Sequence, residues 1–236
     1  MVSRCSHGYT DLADNATQLG LYLLLVHDRR ITEAWLMFRS AVDIAMAVGL
    51  HRNDTRLRLD PYLSEYRARL WSYLCHADAT LSCLVGIPLS IDPATYDVLT
   101  VNNINLQDLV ALSAASGDIT EIPSRPLEEP TFATYLIFRR KLATIVARMV
   151  SLFQKVKKGS NDDYDEVMAI DTALTEFRNN LPPVFQFSNP DKSRDNSTLS
   201  SGVLFVFRHN LADLLQLKSI LLLNGTTCSQ RFSTMW

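Results

Sequence analysis

The sequence predicts an all-α protein: an irregular multi-helix bundle of antiparallel helices with no substantial sheet. Three observations predict it. Apolar residues recur at spacings of three and four over most of the chain. Those stripes end at helix-stopping residues such as Gly49, Gly86-Ile87-Pro88 and Leu181-Pro182-Pro183. The 8 glycines and 9 prolines among 236 residues are too few for a loop-rich or fibrous chain. A chain of this length buries roughly 70–75% of the surface its unfolded form exposes, enough for a substantial core.

Taken in order, a first helix over about residues 10–27 pairs with the next across Asp28-Arg29-Arg30. From Thr32 to Val48 the stripe is Trp35, Phe38, Val42, Ala45 and Val48, widened by Met37, Ala41 and Ile44. Thr32 is the expected N-cap, with Glu33 in the first turn and Gly49 as the stop. His51 and Arg52 follow, where cations meet the negative end of the helix dipole. A polar loop over 52–59 leads to Asp60-Pro61, a cap followed by proline at the first helical position. Tyr66, Leu70, Tyr73, Ala77, Leu81 and Leu84 trace the inward face of that helix, and Glu65, Arg67 and Arg69 are expected on its solvated side.

Residues 89–105 read as irregular, with room for a short extended piece over 98–101. Residues 113–131, carrying Pro123, Pro126 and Pro130, read as a linker or long surface loop. Phe138, Leu142, Ile145, Met149, Leu152 and Val156 then form the strongest heptad-like stripe, closing at Lys155, Lys157, Lys158 and Gly159. It is too short for a coiled coil and fits a packed bundle helix. Asp162 and Asp163 open a further helix with Val167, Ile170, Leu174 and Phe177 inward. After a polar loop over 191–201, a last helix carries Phe207, Leu211, Leu214, Leu215, Lys218 and Leu222. The expected total is six or seven helices, with no tandem repeat.

Composition narrows the function classes. With 23 basic against 25 acidic side chains, a net charge of -2, the chain has no global field that draws it to nucleic acid or anionic lipid. The longest early apolar run, Leu21 to Val26, is too short to span a bilayer or to act as a secretory core, so no membrane partner is expected. Four scattered cysteines, Cys5, Cys75, Cys83 and Cys228, form no C-x-x-C pair and suit a reducing intracellular setting. Asn-x-Ser/Thr triplets at Asn15, Asn53, Asn196 and Asn224 are then chance.

Candidate chemistry is sparse. Cys5 with His7, and Cys75 with His76, offer two ligands each where structural zinc takes four. There is no G-x-S-x-G elbow and no glycine-rich phosphate loop. His27, His51, His76 and His209 fall on expected helices or their ends, where core and capping roles predominate. Glu128-Glu129 reads as solvated charge. No catalytic, cofactor-binding or metal-ligating residue is assigned, and no enzyme activity is expected.

Between Ala34 and Asn105 the residues become more specific. Ala34-Trp35, Ala41-Val42 through Ala45, and Gly49-Leu50-His51-Arg52 are followed by Glu65, Arg67-Ala68-Arg69-Leu70-Trp71, Asp78 and Gly86-Ile87-Pro88. This order resembles the fungal-specific transcription factor domain, the middle homology region of fungal zinc binuclear cluster regulators. Ala68 within the basic group, Ile87 in place of an Arg, and Thr100-Val101-Asn102 without the usual Pro depart from the pattern. The resemblance implies a single helical regulatory domain over 1–236. Its best-matching core is 31–105, its linker is about 113–131, its second helical half is 132–223, and its divergent tail is 224–236. Trp35, Gly49, His51, Arg52, Glu65, Arg67, Arg69, Trp71, Asp78, Gly86 and Pro88 would be its structural motif residues. Trp71 is expected to bury beside Leu70 and Leu74, and Asp78 to pair with Arg69 or Arg52.

The resemblance further implies a nuclear protein that modulates transcription through intramolecular, protein-partner or small-effector contacts. Zinc is expected only in a separate DNA-binding module, because four cysteines fall short of the six that a binuclear cluster takes. DNA would be reached only indirectly, and the chain is expected to be a truncated product, a gene-model fragment or a stand-alone regulatory domain. The alternatives are an all-α small-molecule binding module or enzyme of a biosynthetic pathway, or a non-functional remnant.

Overall fold

A computed structural model describes residues 30–52, 61–97, 100–115, 122–155, 162–182 and 185. Within them lie five α-helices, which we number α1 (Ile31–Ala47), α2 (Pro61–Val85), α3 (Leu106–Ala115), α4 (Phe132–Lys155) and α5 (Asp162–Asn179). A short 3-10 turn at Pro93–Thr95 is added, and there is no strand among the described residues, so the chain is all-α. The expected helices over 10–27 and 207–222, the Asp60 cap, the loop over 191–201, the basic end at 157–159 and the tail 224–236 lie outside the described residues.

The α1 stripe is narrower than its apolar residues suggest. Ala34, Phe38, Ala41, Val42 and Ala45 are the buried positions, while Trp35 and Val48 are half-buried. Helix α1 starts two residues earlier than the Thr32 cap would place it. Arg30 occupies the cap position without a side-chain cap and instead pairs with Glu33 one turn on. Its far end follows the sequence closely. Gly49 adopts φ +69°, its amide donates to the Met46 carbonyl at 3.0 Å, and the Leu50 amide donates to Ala45 at 2.8 Å. That pair of bonds is a Schellman cap.

Helix α2 is the central strut. From Ala68 to Cys83 nearly every residue is buried, with Trp71 and Leu74 fully so. One side packs with α1: Trp71, Leu74, Ala77 and Leu81 join Phe38, Val42 and Leu50 in one core. The other side adds Ala79 and Cys83 to a second core built by Phe138, Leu142, Val146, Met149, Val150 and Leu152 of α4 with Ile170, Leu174 and Phe177 of α5. The α2–α4 contact is the most extensive in the molecule. Gly86, at φ +74°, ends α2 as expected.

The heptad-like stripe of α4 buries Phe138, Leu142, Met149 and Leu152 and leaves Ile145 half-buried. Beyond α5 the chain turns at Leu181-Pro182 and inserts Phe185, fully buried, with its ring 5.9 Å from that of Phe138. Helix α3 had no counterpart in the sequence reading. Its only buried apolar side chain among those described is Leu109, so it carries no stripe to recognise.

Both positive-φ glycines have open space where a Cβ would sit. A substitution there is opposed by backbone conformation alone. Gly49→Ala should therefore cost about 1–2 kcal/mol, and Gly49→Asn clearly less, in urea denaturation. Equal stability of all three proteins would contradict the capping role.

Candidate functional site

The motif residues gather along α2 in three knots. At its first turns Glu65 and Arg69, one helical turn apart, form an ion pair at 2.8 Å with both side chains buried. Each also holds a distant backbone group. Glu65 accepts from the Asn102 amide at 3.2 and 3.3 Å and from Asn102 Nδ2 at 3.0 Å, and Arg69 Nη2 donates to the Ile104 carbonyl at 2.7 Å. The expectation of a solvated Glu65–Arg69 face is thus corrected. The 100–105 segment covers that side of α2, and its unpaired backbone groups need these charges.

A second knot closes the α1–α2 corner. Arg67 Nη2 donates to the Gly49 carbonyl at 2.8 Å. The cation at the end of α1 is therefore Arg67 rather than Arg52, whose exposed guanidinium faces Asp97 at 3.6 Å. The Trp71 ring lies between His51, 6.0 Å away and tilted, and Tyr96, edge-on at 5.6 Å. Burial, and then the charge of Arg52, lowers the His51 pKa, with Asp97 opposing and Arg67 adding to the shift. The imidazole is accordingly an aromatic wall at neutral pH rather than a dipole-stabilised cation.

The third knot is Asp78, 2% exposed. Its carboxylate accepts from the Ser90 amide at 3.0 and 2.9 Å and from the Ile91 amide at 2.8 Å. The expected pairing with Arg69 or Arg52 does not occur, because Arg69 is taken by Glu65 and Arg52 lies beside Asp97. Asp78 fixes the backbone after Pro88 instead of bridging two helices. Burial raises its pKa, the bonds from Ile91 and Ser90 oppose that rise, and the charge of Arg39 opposes it further. Nearby, Gly86 offers its carbonyl to Gln154 Nε2 at 3.1 Å and Pro88 offers its own to the Ser82 hydroxyl at 3.3 Å. Trp35 remains apart on α1.

A residue the sequence reading passed over organises the other end. Asn103, buried, directs its side-chain amide protons to the carbonyls of Arg125, Pro126 and Glu129, at 3.2, 2.8 and 3.1 Å. Its Oδ1 accepts from the hydroxyls of Thr131 and Thr134 at 2.7 and 2.6 Å. Thr131 in turn caps α4 by accepting from the Ala133 amide at 3.1 Å, while Thr134 accepts from the Thr131 amide at 2.7 Å. The proline-bearing segment 122–131 is therefore tied into the helical body at one asparagine. The available signal was the Thr131/Thr134 spacing ahead of an apolar stripe.

Several further titratable groups are built into packing. Burial pushes the Cys75 thiol up to about 11, so it is not a thiolate nucleophile at neutral pH. Arg139 stacks over the rings of Tyr73 and Tyr135, at 5.3 and 5.0 Å, and Arg140 over Tyr96 at 4.8 Å. Among the described residues no group of three or more His, Cys, Asp or Glu side chains could hold a metal ion. No described helix is long and apolar enough to cross a membrane.

Comparison with known proteins shows similarity to fungal transcription factors. The chain is 30% identical over 173 residues to the Zn(2)-C6 fungal-type transcription factor mpsB of Macrophomina phaseolina, covering 70% of this chain and 22% of that protein. It is 26% identical over 156 residues to the pyrrolocin cluster transcription factor fsdR of Fungal sp. (strain NRRL 50135), covering 65% and 19%. It is also 24% identical over 211 residues to the Zn(2)-C6 fungal-type transcription factor pigI of Monascus ruber, covering 87% and 24%. The chain thus spans about a fifth to a quarter of the length of the relatives it matches. No protein-family model matches it, and no solved structure does. Its relatives are named transcription factors, several of them of biosynthetic clusters, and not enzymes.

Two expectations follow from the geometry. Glu65→Ala leaves the buried Arg69 charge unpaired and should destabilise the protein by about 3–5 kcal/mol in urea denaturation. The volume-conserving double variant Glu65→Leu/Arg69→Met should recover a good part of that loss, and a double variant no better than the single would show that Arg69 was never left stranded. His76 supplies a pH dependence. Burial and then Arg139 hold its pKa well below 6.5, so the folded protein keeps it neutral while the unfolded chain takes up a proton. Stability from this group is full above about pH 6.5 and falls with acidification, with a slope approaching 1.4 kcal/mol per pH unit. His76→Gln should flatten the fall between pH 7 and 5.5, and parallel curves for both proteins would refute a neutral buried His76.

Proposed function

We propose that this chain is the regulatory, middle-homology body of a fungal transcription factor. It works in the nucleus and modulates RNA polymerase II transcription through contacts with the rest of its own protein, a protein partner or a small effector. The similarity to fungal Zn(2)-C6 factors over most of the chain carries this reading. An all-α body whose polar residues are committed to holding segments together supports it. DNA is contacted only through a zinc-cluster module that these 236 residues, with their four cysteines, do not supply. The body acts as a two-state element whose equilibrium is biased by what binds it.

The test is a fusion of the chain to a foreign DNA-binding domain, read with a reporter in a fungal host across growth conditions. The expected result is a change in output relative to the DNA-binding domain alone in at least one condition, lost in Trp71→Ala. A fusion whose output matches the bare domain in every condition overturns the proposal.

A further inference from the structure

A cleft of about 260 Å³ runs along α4 between α2, the segment that carries Ile91 and Tyr96, and the first turns of α5. Its apolar lining comes from Ile91 and from Ala143, Ala147 and Leu152 of α4, of which Ile91, Ala143 and Leu152 are buried. Its rim is cationic. Arg140, Arg148 and Lys155 line it from one helix, spread over roughly 22 Å of α4 at 1.5 Å per residue. Two carboxylates face it. Asp78 is occupied by the Ser90 and Ile91 amides, and Glu166 stands on the α5 wall.

The cations differ in how they are used. Arg140 lies over the Tyr96 ring at 4.8 Å, beside the Cys75 thiol that burial keeps protonated. Arg139 and Lys141, the neighbours of Arg140, also rest on aromatic rings. Among the residues whose side chains are described, the Arg148 guanidinium and the Lys155 ammonium, both exposed, make no ion pair, and Glu166 lines the same cleft. An apolar trough with exposed cations along it matches a molecule with an apolar body and one negative group.

We propose that this cleft binds a small amphipathic organic anion, with its apolar body against Ile91, Ala147 and Leu152 and its acid group on Arg148. The site would be the effector site of the regulatory body and takes its biological meaning from that reading. Guanidinium is well suited to the acid group, since its planar fork can give a carboxylate two parallel hydrogen bonds. Ala143 and Ala147 leave the trough open, and a larger side chain at 147 would fill it.

The test uses the full chain and 1-anilinonaphthalene-8-sulfonate as a fluorescent apolar anion, displaced by 2-naphthoate, 2-naphthol or inorganic phosphate. The dye is expected to bind and 2-naphthoate to displace it at a concentration about tenfold below that of 2-naphthol, while phosphate does not displace it. Arg148→Glu should weaken 2-naphthoate about tenfold or more, and Ala147→Trp should abolish displaceable dye binding. Lys141→Glu, outside the cleft, should change neither, and matched melting temperatures confirm that the variants are folded. No dye binding, equal potency of naphthol and naphthoate, displacement by phosphate alone, or an Arg148→Glu protein with unchanged affinity would each overturn the proposal. A silent reporter fusion defeats the regulatory reading whatever the titration gives. A responsive fusion combined with failed titrations defeats the cleft alone.

Discussion

Helix α2 is enclosed around most of its circumference between Ala68 and Cys83, so the buried charges it carries, Glu65, Arg69 and Asp78, need partners. The rest of the structure follows from how that demand is met. Glu65 and Arg69 neutralise one another and then reach the backbone of 102 and 104. Asp78 collects the amides of Ser90 and Ile91. Two irregular segments that make few helix-type bonds of their own are thereby held at fixed places against the central helix. A buried ion pair adds little net stability against an apolar pair of the same volume, but it penalises any arrangement in which its partners are missing. Its contribution here is to select one course for the chain.

The two apolar cores differ in construction. The α1–α2 core pairs small residues, Ala34, Ala41 and Ala45, with two large rings, Phe38 and Trp71, the second of them beside His51 and Tyr96. The core of α4 and α5 is built from longer aliphatic and aromatic side chains and is closed by Phe138, Phe177 and Phe185. Helix α2 contributes to both cores, Trp71, Leu74, Ala77 and Leu81 to one and Ala79 and Cys83 to the other. It is thus the element through which the proposed two-state regulatory body would couple its two sides.

Chemistry is quiet in this molecule by arrangement. The thiol of Cys75 and the imidazole of His76 are both held uncharged by burial, and the arginines at the start of α4 lie on tyrosine rings while Lys141 lies on that of Phe138. Along the α4 cleft, by contrast, Arg148 and Lys155 are exposed beside apolar lining residues, which is the basis of the ligand site proposed there.

Sequence alone determined the all-α class, the ends of α1 and α2 at Gly49 and Gly86, and the inward faces of α4 and α5. Each of these depends on local conformational preference or on a repeat of three and four. The same logic misplaced Glu65 and Arg69, because charge predicts exposure only until another segment covers the helix, and the covering residues lie more than thirty positions away. It missed α3, which has a single core residue, Leu109, among its described side chains, and Asn103, whose side chain has five partners spread over residues 125–134. It sent Asp78 to an arginine, whereas nearby backbone amides claimed it. Periodicity reports which face of an element is apolar, but which polar groups meet depends on long-range contacts that no local pattern encodes. Those contacts, and the cleft they leave along α4, were decided only by the tertiary structure.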